Sequence, residues 1–248
     1  EKLVDFLNDY LTAMTEPIAN HSGIIDNFVG DRVIGFWGPP FCGENAHARH
    51  ACQAALEQVA RFNALKTKYA DLIGDHGLDI RIGIATGEVV VGSIGTDKSR
   101  AYTVVGDCVN YANRLEKANR VYGTQILASH ETANMAAGEI EMRDLDHVVL
   151  LGTEHEVYLY EVLALGGQLS EERRDWRSKY ETAMTHYREG AFDQAKPLYE
   201  AVRELDDSDF AAQLMMNRME RLQRREQDRE WNGTWVVRDP YDRRDVES

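Results

Sequence analysis

Residues 102–116, Y-T-V-V-G-D-C-V-N-Y-A-N-R-L-E, pack three kinds of instruction into fifteen positions. The β-branched and aromatic run 102–105 predicts a strand, Gly106 a tight turn, and Asp107 the N-cap of the amphipathic segment that follows. On that helix Asn110 and Arg114 stand four residues apart, so both project from one face. A strand, a glycine turn and a polar helix start suit an anion or a sugar. The plain alternative is a surface helix carrying a solvated arginine.

A second stretch, residues 23–40, reads G-I-I-D-N-F-V-G-D-R-V-I-G-F-W-G-P-P. Two β-branched or aromatic runs joined by Gly30 and Asp31 predict a hairpin with a carboxylate at its turn. A third, R-I-G-I-A-T-G-E-V-V-V-G-S-I-G, spans residues 81–95. In this order and spacing the three motifs resemble the class III nucleotidyl cyclases, and the resemblance covers residues 1–162. Three ordered motifs are far more specific than any one of them.

The resemblance implies a fold, a reaction and a set of roles. The fold is an α+β, ferredoxin-like cyclase sandwich, an antiparallel-rich sheet covered by helices. The reaction is attack of a ribose 3′-hydroxyl on the α-phosphate of ATP or GTP, with release of pyrophosphate. Asp31 falls where the family holds Mg²⁺ or Mn²⁺ in a two-metal site; the first metal aspartate of the family lies in a strand and loop of the type F-x-D-I-x-G-F-T, expected upstream of residue 1. Asn110 matches the residue that orients the ribose, and Arg114 the one that stabilises the transition state, a task suited to a permanent charge on a planar fork. Asn27 and Thr103 occupy the base-recognition positions, with Phe28 beside them as a further substrate contact. Lys98 matches a basic position on the phosphate side, and Arg100 stands near it. In the family the metal carboxylates and the Asn/Arg pair come from different subunits, which implies a homodimer with two shared sites. Each residue also has an ordinary reading: a turn aspartate bonding nearby amides for Asp31, a helix-start hydrogen bond for Asn110, a surface ion pair for Arg114, a solvated loop charge for Lys98.

Two positions depart from the family pattern. Asn27 stands where adenylyl enzymes usually carry lysine and guanylyl enzymes glutamate; its amide has both a donor and an acceptor and can meet either purine edge. Leu151, in V-V-L-L-G, stands where members commonly place a lysine against the triphosphate. Thr103 matches many bacterial adenylyl enzymes, so adenine is favoured.

With 248 residues the chain accommodates a domain of about 160 residues and a smaller appendage. A net charge of −14 argues against nucleic acid or anionic membrane as partner, and it requires a triphosphate to be drawn in by metal and local cations. No apolar run approaches the roughly 18 residues of a membrane span, and no secretory signal opens the sequence. Cys42, Cys52 and Cys108 show no metal spacing and no disulfide framework. A cytoplasmic setting fits this segment, with anchoring of a longer protein left open.

Along the chain, apolar periodicity predicts an opening helix that ends near Pro17, and a helix over 46–65. Strands are expected at 81–85 and 88–92, paired through a turn at Thr86 and Gly87, and at 125–128, 140–145, 148–151 and 157–162, with a helix over 131–137. The cyclase-like domain is assigned to 1–165. Gly166-Gly167-Gln168 marks a boundary. Residues 166–230 resemble one tetratricopeptide-like helical hairpin; a single unit cannot bury its own faces, so it must pack on the domain or on a protein partner. Residues 231–248 form a Trp-containing tail, its W-N-G-T-W segment a small hairpin or docking peptide.

The reading is an adenylate cyclase acting as a metal-dependent homodimer. Its alternatives are a guanylate cyclase, and a catalytically weak cyclase-homology domain serving as a nucleotide sensor.

Overall fold

A computed structural model describes residues 2–43, 45–74, 77–96, 99–153, 155–224 and 231–237. The opening periodicity becomes α1 (Lys2–Asn20), which runs a turn past its expected end because Pro17 and Ile18 are buried and their packing holds the last turn. The hairpin β1 (Ile24–Val29) and β2 (Arg32–Phe36) closes over Gly30 and Asp31, with Val29 opposite Arg32. Helices α2 (His47–Lys68) and α3 (Ala70–Ile73) follow.

Strand β3 (Ile82–Ile84) departs from the sequence expectation. It does not turn back on residues 88–92 but lies parallel to β6 (Ile126–Ser129), while β4 (Val90–Thr96) pairs antiparallel with β5 (Ser99–Val105). The cause is local. Thr86 leaves β3 by hydrogen bonding to Ser129 and Thr132, which draws the chain along β6. After β5 come α4 (Asp107–Tyr122), β6 and the short α5 (His130–Met135), capped by Ser129, whose Oγ accepts from the Thr132 amide at 3.2 Å. The two strands expected at 140–145 and 148–151 are one, β7 (Ile140–Val149), antiparallel to β8 (Glu156–Leu165).

The extension contributes α6 (Glu171–Arg188), α7 (Phe192–Leu205) and α8 (Phe210–Arg224), one helix more than the hairpin expected. The Trp segment forms neither a hairpin nor a detached peptide. Its strand β9 (Trp235–Val236) adds parallel to β7, completing a mixed sheet of order β3-β6-β8-β7-β9.

Both faces of that sheet are covered. Ile126 and Ala128 pack with Ala48, Ala51, Cys52 and Ala55 of α2, whereas Leu127, between them, packs toward Leu115 and Ala118 of α4. Period-two alternation with apolar residues on both faces is why β6 reads as an unbroken buried run. Trp176, Tyr180, Tyr187 and Tyr199 of the extension lie in the same core as Leu115, Tyr122, Leu145 and Leu159. Each large apolar side chain removed from water contributes roughly 1.5–3 kcal/mol.

A close backbone approach at Gly83 seats α4 on β3. A Cβ at Gly83 would lie 2.1 Å from the Ala112 carbonyl oxygen and 2.4 Å from the Glu116 nitrogen, both backbone atoms of α4. Asn119 locks the seat: its buried amide donates to the Ile82 carbonyl at 2.9 Å and accepts from the Thr124 hydroxyl at 2.8 Å. Gly83→Ala is therefore expected to push α4 off the sheet and lower stability by about 2–3 kcal/mol or more; a denaturant midpoint equal to that of the parent protein would contradict this packing.

Candidate active site

Glycine-seated α4 presents Asn110 and Arg114 near its N-terminal end. Asn110 is exposed and Arg114 half-buried, and among the described residues no hydrogen bond or ion pair engages either side chain. The ion pair that an ordinary surface arginine would make is not found among the described residues. What lies beside Arg114 is the β7–β8 turn: a Cβ at Gly152 would stand 3.4 Å from its Nη2. Leu151, 58% exposed, adjoins that glycine, so the position where the family carries a lysine faces solvent beside the guanidinium as an aliphatic side chain.

The hairpin reaches the same helix from another flank. Arg32, next to Asp31, donates to Asn113 Oδ1 at 2.7 Å and lies 3.7 Å from Glu116. The Asp31 backbone carbonyl accepts from the Tyr10 hydroxyl at 3.1 Å. The Asp31 carboxylate itself is exposed at the turn, and among the described residues it has no hydrogen-bond partner.

A β-bulge at Asp26 ties the first hairpin to β5. The register of β1 and β2 shifts between Ile25 and Asn27, leaving Asp26 out of the ladder. Its carboxylate accepts the Val104 N–H at 3.1 Å. Asn27 and Thr103 are the sequence neighbours of that bonded pair, with Asn27 and Phe28 exposed and Thr103 half-buried. Lys98 lies outside the described residues.

The sequence reading missed Asp26, Arg32 and Gly152. A carboxylate next to a base-contact position was visible, but nothing in the pattern marks a bulge, and long-range partners such as Asn113 leave no local trace.

The three cysteines take no part in this site. Burial pushes the Cys52 thiol up to about 12, and burial also raises Cys42 and Cys108, whose Sγ donates to the Ala85 carbonyl. Among the described residues no group of three His, Cys, Asp or Glu side chains is arranged to hold a metal. The exposed Asp31 carboxylate still fits Mg²⁺, which is commonly bound by one or two carboxylates together with substrate phosphates. At pH 8 all three thiols stay protonated, so native protein should react slowly with a disulfide reagent and rapidly once denatured; a fast-reacting native thiol would contradict the packing of Cys108.

Known proteins resemble this chain in sequence and fold. "Adenylate cyclase 1" of Rhizobium meliloti is 35% identical over 165 residues, 66% of this chain and 24% of that protein. The chain thus spans about a quarter of the length of that curated relative. The crystal structure of the adenylyl cyclase CyaB from P. aeruginosa matches 68% of this chain and 86% of its own, at 32% identity and a TM-score of 0.59. That of the guanylyl cyclase Cya2 matches 68% and 84%, at 30% identity and a TM-score of 0.59. Residues 1–163 match the family described as the adenylate and guanylate cyclase catalytic domain, and the chain belongs to that family.

Proposed function

We propose that this chain converts ATP to 3′,5′-cyclic AMP and pyrophosphate as the catalytic part of a class III adenylate cyclase. The observation that carries the reading is the pair Asn110 and Arg114, without a side-chain partner among the described residues and one helical turn apart on the glycine-seated α4. The 3′-oxygen of the ribose attacks the α-phosphorus, the bond to the bridging oxygen of the β-phosphate breaks, and pyrophosphate leaves. Asn110 orients the ribose. Arg114 meets the charge that develops on the α-phosphate oxygens, and its lack of a carboxylate partner leaves its donors available for that purpose. Asn27 and Thr103 read the adenine edge with Phe28 alongside, and Lys98 serves the phosphate side. Asp31 would hold Mg²⁺ or Mn²⁺, which when bound neutralises phosphate charge and favours ionisation of the 3′-hydroxyl.

We read the active form as a homodimer in which Asp31 of one subunit serves the site carrying Asn110 and Arg114 of the other. The two-stranded ribbon β4–β5 supports this, because Val90 (69% exposed), Ile94, Tyr102 and Val105 leave it apolar and open, and such a ribbon is marginal alone. Phe28 and Val29 at the first hairpin are exposed as well. The sheet is read as ferredoxin-like and the α6–α7 pair as one tetratricopeptide-like unit, completed by α8 and β7 in place of further repeats; a protein partner would meet its outer face. No described helix is long and apolar enough to cross a membrane, and a cytoplasmic site of action is proposed.

Arg114→Ala should lower kcat on the order of 100-fold or more with the fold retained, since a helix accepts alanine readily. Mixing Asp31→Ala with Arg114→Ala protein should recover part of the activity, and mixed dimers that recover none would refute the shared sites. Leu151→Lys is expected to lower KM for ATP several-fold by adding a cation beside Arg114; an unchanged KM would separate that turn from the triphosphate. Chromatographic analysis of product from ATP and from GTP decides the base, and cyclic GMP alone would reassign Asn27 and Thr103.

A further inference from the structure

The far end of α4 is gripped by the helical extension. Tyr122, its last residue, is fully buried and donates its hydroxyl to Asp146 Oδ2 on β7 at 2.7 Å. Arg218 of α8 donates to the same oxygen at 2.5 Å, and its Nη2 reaches the Tyr122 hydroxyl at 3.5 Å. Both members of this ion pair have side chains at 0% exposure. Next along the chain, Gly123 caps α4 in the left-handed region at φ 67°, and a Cβ there would lie 2.7 Å from the Phe210 Cβ, the first residue of α8. Helix, strand and extension thus meet around one carboxylate oxygen.

That chemistry is poorly suited to simple adhesion. A buried ion pair gives little net stability compared with apolar side chains of the same volume, and Arg218 Nε has no partner among the described residues. What three convergent polar groups do supply is direction, because hydrogen bonds fix angles where apolar packing tolerates sliding. A second junction of similar chemistry ties β7 to the start of α8. Arg143 of β7 is bonded to Glu161 at 2.6 Å and to Asp209 at 2.6 Å, between the rings of Trp176 and Tyr180. The extension is therefore fastened to the sheet at a second point, which meets α4 through Phe210 beside Gly123 and, among the described residues, by no hydrogen bond.

We propose that Tyr122, Asp146 and Arg218 are positioning residues for the Asn110/Arg114 helix, through which the extension sets the turnover of the site. The proposal rests on the reading of Asn110 and Arg114 as catalytic. Helix α4 is a rigid rod seated on Gly83, and fixing its C-terminal end leaves it no freedom to slide or rotate at the end that meets substrate. Loss of the junction should act on kcat, which depends on alignment in the transition state, and leave KM for ATP nearly unchanged.

The test uses the full chain and four variants, Tyr122→Phe, Arg218→Met, the double variant Asp146→Leu with Arg218→Met, and Arg143→Met as the comparison. Amide hydrogen exchange over residues 107–122 and steady-state kinetics with ATP are both measured well below each melting temperature. Exchange across α4 should quicken several-fold in the first three and clearly less in Arg143→Met, which leaves the hydrogen bonds of Tyr122 in place, and kcat should fall about tenfold in the first three at constant KM. The double variant is the sharpest case, since an apolar pair should return the melting temperature toward the parent without returning kcat or slow exchange. The proposal is overturned if the double variant recovers both, or if Arg143→Met quickens α4 and lowers kcat to the same extent as Arg218→Met. If the parent protein makes no cyclic nucleotide, the catalytic reading fails by itself, and exchange over 107–122 still decides whether the junction holds the helix.

Discussion

The distance between α4 and β3 governs much of what this protein can do. Two backbone atoms of the helix occupy the space that any side chain larger than hydrogen at position 83 would need. Without that contact the helix would ride higher on the sheet, Asn119 would lose its bond to the Ile82 carbonyl, and Arg114 would move away from Gly152. A residue without a side chain therefore fixes the turn of α4 between Ala112 and Glu116, the turn that carries Arg114. The arrangement has little tolerance because both partners at the contact are backbone, which cannot change rotamer to relieve a clash.

Charge is handled by two different strategies. In the candidate site the charged groups Asp31 and Arg114 have no hydrogen-bond or ion-pair partner among the described residues. At the junction with the extension the opposite holds. Burial alone would lower the pKa of Arg143 and of Arg218, but neighbouring Glu161 and Asp209 for the first, and Tyr122 and Asp146 for the second, raise both above their ordinary value. These arginines stay charged inside the protein because Glu161 and Asp209 face the one and Asp146 and the Tyr122 hydroxyl the other. Removing one partner from such a pair leaves an uncompensated buried charge at a cost of roughly 3–5 kcal/mol. The extension is thus held in a single pose rather than resting on the sheet as a loosely linked module.

The sequence made the local instructions plain and the long-range ones invisible. The G-D turn, the helix from Asp107 and the Asn110–Arg114 spacing were legible because turn chemistry and helical period act over a few residues. The partner of β3 was not, since residues 81–92 suit a hairpin on local pattern and only Thr86, bonded to Ser129 and Thr132, shows why the chain continues along β6. The merged strand β7 was missed for a related reason. Its Asp146 and His147 look like a break in an apolar pattern, yet Asp146 is paired with Arg218, from a helix remote in sequence. Asp26 is the clearest case in the site: its role depends on a bulge that no propensity scale records.

Strand β9 gives the sheet a property that has nothing to do with catalysis. The Val237 N–H bonds to the Val149 carbonyl at 2.9 Å, and Trp235 and Val236 sit alongside Val148 and Val149. These few residues occupy hydrogen-bonding groups on the outer rim of β7 that would otherwise be open to strands of other molecules. A protein shortened before residue 231 would keep the cyclase motifs and the buried arginines, yet it would offer an apolar rim to its neighbours in solution. The tryptophan segment thereby works on this side of the sheet as a selvedge does on woven cloth, replacing part of the long border of β7 with an edge strand two residues long.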